Sequence, residues 1–140
     1  MKVIVVYFSQ TGNTKKVADA MAEALSCKAV SVDAVTGVGE LDVLFIGAAV
    51  YATFNHDVNP AIKTFLKTLE PSKVKKVAIF STYAFGSSVG NLARFAKDLG
   101  LNVSDEVFAC KGRFLFFNRG APDKKDLQNA KDFALRIVGR

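Results

Sequence analysis

The chain has 140 residues, half of them apolar, with a net charge of +6, one histidine and two cysteines. That length suits one domain with a substantial core, here residues 1–140, and no apolar run approaches the roughly 18 residues of a membrane span. The basic residues are scattered rather than clustered, which argues against nucleic acid, and Cys27 and Cys110 are too few for a disulfide framework and are expected as buried small hydrophobes.

The opening MKVIVVYF is too short an apolar stretch for a signal peptide and leads into polar residues, so the protein is expected in the cytoplasm. Within it, Val3 to Phe8 is a nearly continuous apolar run, which suits a parallel strand covered on both faces. The stretch Ser9, Gln10, Thr11, Gly12, Asn13, Thr14 follows, and Val17, Met21 and Leu25 then mark a helical stripe. Cys27 to Asp33 is a weaker run, expected as a flanking or edge strand. The next segment, AVTGVGE over Ala34 to Glu40, is shorter than the dozen residues of an ordinary parallel crossover, so at most one helical turn is expected there.

Val43 to Ala49 is the second strong strand. Asn59 and Pro60 then read as the cap and first turn of a helix whose stripe is Ile62, Phe65, Leu66 and Leu69. Val77 to Phe80 is the third strong strand. Val89, Leu92, Ala96 and Leu99 form a stripe stopped by Gly100, and Glu106 to Cys110 is a second edge candidate. Leu127, Ala130, Ala134 and Ile137 form the last stripe, stopped by Gly139. Strands and helices in alternation predict an α/β fold, a single doubly wound sheet whose ligands bind outside the carboxyl ends of the central strands.

The six residues from Ser9 to Thr14 therefore stand between a central strand and a helix, where backbone amides converge at a positive helix end. Gly12 permits close approach or positive φ, and Ser9, Thr11 and Thr14 offer three hydroxyls to one phosphate. No Lys or Arg lies among the six. Neutral donors suit a phosphate that stays bound, whereas a phosphoryl group in transfer recruits Mg²⁺ or basic side chains. Other loop chemistries fail residue by residue. Only Gly12 precedes Lys15, which excludes the Walker pattern and the three-glycine dinucleotide fingerprint. A receiver domain needs carboxylates where Ser9 and Gln10 stand, and a cysteine phosphatase needs a thiolate in the loop.

YFSQTGNT resembles the phosphate loop of the flavodoxin family, [ST]-x-T-G-x-T after the first strand, and matches every specified position. GAAVYATFNHD and STYAFGSS fall where that family contacts its flavin ring, and VFACKGRFLFFNRGAPDKKDLQNAKDFA is similar to the tails of its short-chain bacterial members. The resemblance implies a five-stranded parallel sheet in order 2-1-3-4-5 with helices on both faces, FMN at its carboxyl edge, and single-electron transfer between protein redox partners by a monomer. No catalytic residue and no metal are implied.

For the ring, the aromatics at two strand ends are the candidates: Tyr51 and Tyr83, with Phe54 or Phe85 completing the cover. Backbone groups of Ala49, Val50, Tyr51, Ala52 and Thr53, and of Ser81, Thr82, Tyr83 and on to Gly86, are expected at the ring edge. His56 beside Asp57 reads as a loop hydrogen-bonder rather than an acid or base. Two features depart from the family. YATFN has no glycine beside the expected flavin N5, leaving Asn55 as the residue most tolerant of positive φ. The chain is also basic where many flavodoxins are acidic, which points to acidic redox partners. The alternative from a different class is a small FMN-dependent oxidoreductase passing electrons from NAD(P)H to a quinone or flavin, and a third is a regulatory module using the anion pocket without redox work.

Overall fold

A computed structural model describes residues 1–50, 58–83, 89–113 and 120–140. Five strands, β1 (Val3–Phe8), β2 (Lys28–Ser31), β3 (Val43–Val50), β4 (Val77–Tyr83) and β5 (Phe108–Lys111), alternate with four helices, α1 (Asn13–Leu25), α2 (Pro60–Lys67), α3 (Val89–Asp98) and α4 (Lys124–Ile137). The strands form one parallel sheet in the order β2-β1-β3-β4-β5, as the resemblance implies. Strand order reverses between β1 and β3, so the carboxyl ends of those two strands open the crevice where ligands of doubly wound sheets bind.

Alternate residues of each central strand feed two separate cores. Val5, Tyr7, Phe45, Ala78 and Phe80 pack under α1 and α4, where Val17, Met21, Phe133 and Ile137 are buried. On the other face Val6, Leu44, Ile46, Val77 and Ile79 pack under α2 and α3 through Ile62, Leu66, Leu92 and Ala96. Phe45 meets Phe133 edge to face, with ring centroids 6.2 Å apart. Gly47 leaves room for the Phe80 ring on the neighbouring strand, since a Cβ there would sit 2.4 Å from Phe80 Cε2.

Helix starts follow their caps. Asn59 Oδ1 accepts from the amide of Ala61 at 2.9 Å, with Pro60 in the first turn. Asp123 and Asp126 close a reciprocal capping box on α4. The β2–β3 connection holds one hydrogen-bonded turn, in which the amides of Ala34 and Val35 donate to the Ser31 carbonyl.

Four expectations need correction. β4 runs beyond Phe80 to Tyr83, because Ser81, Thr82 and Tyr83 are paired on one side with Ala48, Ala49 and Val50 and, on the other, with Ala109, Cys110 and Lys111. A ladder on both flanks holds hydroxyl residues in strand geometry that hydropathy alone does not mark. β5 begins at Phe108 rather than Glu106, and β2 is confined to Lys28–Ser31. Cys27, expected to be buried, is only half-buried because it enters the edge strand β2, whereas Cys110 is buried.

Candidate functional site at the carboxyl edge

The turn between β1 and α1 divides into an outward and an inward half. Gln10 and Thr11 are exposed and Ser9 and Gly12 half-buried, while Asn13 and Thr14 are buried. Gly12 stands at the cap position of α1 with φ +90°, a conformation that a side chain would strain, and a Cβ there would meet nothing within 4 Å. The helix consequently begins without a capping side chain and without an acidic residue in its first turn. Its first amides are an open set of donors at the positive end of the helix. Ser9 Oγ accepts from the Gly12 amide at 3.1 Å, which orients the hydroxyl and leaves its own proton available to donate outward.

The inward half braces this turn against the far side of the sheet. Thr14 Oγ1 lies 2.8 Å from Thr82 Oγ1 on β4, and both residues are essentially inaccessible. Two hydroxyls hold two protons and their mutual bond uses one, so one buried proton is left without a partner among the described residues. Asn13 Nδ2 donates to the Arg113 carbonyl at 2.8 Å, and the Gly112 amide donates to the Tyr83 carbonyl at 2.8 Å. A Cβ on Gly112 would lie 2.8 Å from Asn13 Nδ2, so only glycine lets the chain after β5 approach this closely. Sequence reasoning placed Thr14 among the outward hydroxyls and did not single out Gly112. Its one sequence mark was a glycine following an edge strand.

Of the expected ring contacts, Ala49, Val50 and Ser81, Thr82 and Tyr83 sit in the last rungs of β3 and β4. Tyr83 is half-buried at the end of its strand. Tyr51, Ala52, Thr53, Phe54, Phe85 and Gly86, with Asn55 and His56, lie outside the described residues.

Charge around the site is positive on balance. Lys15, bonded to Asp19 at 2.7 Å, has its ammonium pKa raised by that hydrogen bond and charge. Beside the end of β5, a cavity of about 620 Å³ is lined by Tyr83, Phe108, Cys110, Asp123 and Asp126. Burial pushes the Cys110 thiol up to about 12, with the two aspartates adding to it, so it stays protonated at neutral pH. Among the described residues no cluster of His, Cys, Asp and Glu is suited to a metal ion, and no helix is long and apolar enough to cross a membrane.

The donor set fits a phosphate monoester. Open helix amides and the Ser9 and Thr11 hydroxyls are all donors, and no carboxylate stands among the six loop residues to repel an anion.

Comparison with known proteins agrees on the architecture. Residues 4–115 match the family described as Flavodoxin domain. A flavodoxin from the domain Archaea superposes with a TM-score of 0.80 at 25% identity, covering 99% of this chain and 96% of that one. Oxidised Flavodoxin 2 from Bacillus cereus gives 0.72 at 17% identity over 99% and 98%. Rubredoxin oxygen:oxidoreductase from Desulfovibrio gigas gives 0.76 at 20% identity, with 98% of this chain covering 35% of that larger one. A sequence search among curated proteins finds no match.

Proposed function

The chain belongs to the flavodoxin family, and from that premise we propose that it holds FMN at the carboxyl edge of its sheet and carries single electrons between redox proteins. The observation that supports this most is the start of α1: a helix N-terminus with no capping side chain, opened by a glycine at φ +90° and facing empty space. Such an end leaves charge-seeking donors without a capping side chain among the described residues, and a phosphate dianion would match them.

In this reading the Ser9 and Thr11 hydroxyls and the amides at the start of α1 hold the phosphate. Asn13 and Thr14 act from behind as positioning residues, through Arg113 and Thr82. The ring lies over the ends of β3 and β4, beside Tyr83, from which the loops carrying Tyr51, Phe54 and Phe85 continue in the chain. Bound FMN supplies reversible one-electron chemistry, while the protein supplies retention, orientation and exclusion of water. No side chain need move a proton or form a bond to substrate. Phosphate binding by neutral groups suits this role, because the cofactor is kept from one cycle to the next rather than released.

Fluorescence titration tests the assignment. FMN should bind with quenching, and riboflavin, which lacks the phosphate, should bind much more weakly. Replacing Ser9 and Thr11 with Ala removes two hydrogen bonds to a charged group, each worth about 1.5–3 kcal/mol, so FMN affinity should fall by at least about tenfold. Riboflavin affinity should change little. Equal losses for the two flavins would remove the phosphate from this loop.

A further inference from the structure

We propose that the rim formed by the start of α1, the end of β5 and the start of α4 is the docking surface for an acidic redox protein. The inference rests on the reading that FMN occupies the same edge, and adds the partner's chemistry and its place of contact.

Six exposed basic residues make the rim: Lys15 and Lys16, Lys111 and Arg113, Lys124 and Lys125. Three contacts show that they share one surface. Lys131 Nζ and Glu23 Oε2 are 3.1 Å apart across α1 and α4, and moving seven residues toward both helix starts brings Lys16 opposite Lys124, about 10 Å nearer the carboxyl edge. The bond from Asn13 Nδ2 to the Arg113 carbonyl fixes Arg113 at the first turn of α1. Lys111 ends the edge strand β5, immediately before the Gly112 amide that bonds to Tyr83.

Charge elsewhere is more nearly balanced. Lys73 meets Glu70, Lys75 meets Asp42 and Arg136 meets Glu106, all toward the amino half of the sheet. On the rim only Lys15 has a carboxylate partner, Asp19, among the described residues. Asp123 and Asp126 do lower the local charge, but each is bonded to the other's amide. The starts of α1, α2, α3 and α4 all point to this edge as well, since each helix follows a parallel strand, and each adds partial positive charge.

The form of the patch selects a protein over a small anion. The six cations are spread over three elements on an exposed surface, and the cavity beside them sets two carboxylates, Asp123 and Asp126, against the single cation Lys111, a poor site for a phosphate. A broad acidic face can meet several of them at once. Each exposed pair is weak, so the complex is brief and the field mainly raises the encounter rate, as a carrier requires.

Two triple variants test the surface, using an acidic plant-type ferredoxin as the probe and basic cytochrome c as its counterpart. K16E/K124E/K125E reverses the rim at helix starts, where glutamate is well tolerated, and K2E/K28E/R140E makes the same charge change among exposed residues at the amino edge. In the FMN-loaded protein, the bimolecular rate with ferredoxin should fall about tenfold or more in the rim variant and lose its salt dependence, with less than about a threefold change in the other. Amide NMR shifts on adding ferredoxin, which need no flavin, should centre on residues 15–16, 111–113 and 124–125. Equal losses in the two variants, shifts away from the rim, or faster exchange with cytochrome c would overturn the proposal. Rim shifts without electron exchange in any variant would support the docking surface and overturn the flavin reading.

Discussion

The buried pair Thr14–Thr82 makes a prediction that separates scaffold from ligand contact. The two hydroxyls are 2.8 Å apart, with Thr14 wholly inaccessible and Thr82 1% exposed. Thr82→Val keeps nearly the same shape but strands the Thr14 hydroxyl in the interior, at a cost of about 1–3 kcal/mol. Thr14→Val strands Thr82 in the same way. The double variant strands neither, and replacing both partners by apolar groups of like shape is nearly neutral. With a urea m-value of about 2 kcal/mol/M, each single variant should lower the midpoint by roughly 0.5–1.5 M, and the double should recover most of that loss. Equilibrium unfolding of the four proteins without added FMN gives the coupling energy directly. Additive losses, with the double variant as low as the two singles combined, would refute the idea that the pair acts as a unit. FMN titration of the same set supplies the second reading. If Thr14 works by bracing the turn, the stability-neutral double variant should retain most of the affinity that Ser9 and Thr11 confer.

Three further outcomes follow from packing and charge. Gly47→Ala should drive the Phe80 ring from its place, at about 1–3 kcal/mol and roughly 3–10 °C in Tm, whereas Gly90→Ala, on α3 with open space around it, should be neutral or slightly stabilising by calorimetry. Alkylation at pH 8 should label half-buried Cys27 well before Cys110, whose thiol is held protonated up to about 12; comparable rates in the native protein would contradict the burial of Cys110. Asp42 accepts from the Lys2 amide and pairs with Lys75, which hold its carboxyl below the ordinary 3.8. Its contribution is complete above that value and is lost as pH falls through the lowered one, so the stability gap between wild type and Asp42→Asn should narrow as pH falls below 3.8, and a gap that does not narrow in acid would count against it.

The sheet was legible because β1, β3 and β4 are buried on both faces, and continuous apolar runs such as Val3 to Phe8 leave little choice of conformation. Asn59 with Pro60 announced α2 for an equally local reason. What hydropathy could not show was the end of β4, where Ser81 and Thr82 are strand residues because neighbours on both sides pair with them. The loop was legible as a hydroxyl-rich turn from a strand into a helix, since its composition and its place after a strand are sequence properties. Its division into two halves was not. Thr14 turns inward because a hydroxyl 68 positions away awaits it, and Asn13 is held by a carbonyl 100 positions away. Such long-range partners leave no periodicity to read, and Gly112 shows its purpose only once Asn13 is beside it.

In the proposed reading one edge of the molecule holds one thing firmly and another loosely, and the two sets of donors differ in the way this requires. The phosphate donors are short-range and fixed. They would come from the backbone at a helix start and from the hydroxyls of Ser9, which the Gly12 amide orients, and Thr11, and hydrogen bonds to a charged group are worth about 1.5–3 kcal/mol each. The rim cations are long, exposed side chains, for which a surface ion pair contributes about 0–1 kcal/mol and is screened over about 8 Å at physiological salt. A few of the first kind would retain a cofactor across many encounters, while several of the second would guide a partner in without preventing its release. Moving lysines into the phosphate loop would blur that separation, because a phosphate neutralised by basic side chains no longer leaves a positive edge for the partner to find. On the proposed reading, the absence of Lys and Arg from Ser9 to Thr14, with Lys15 and Lys16 immediately after, would keep the two tasks on adjacent but distinct groups.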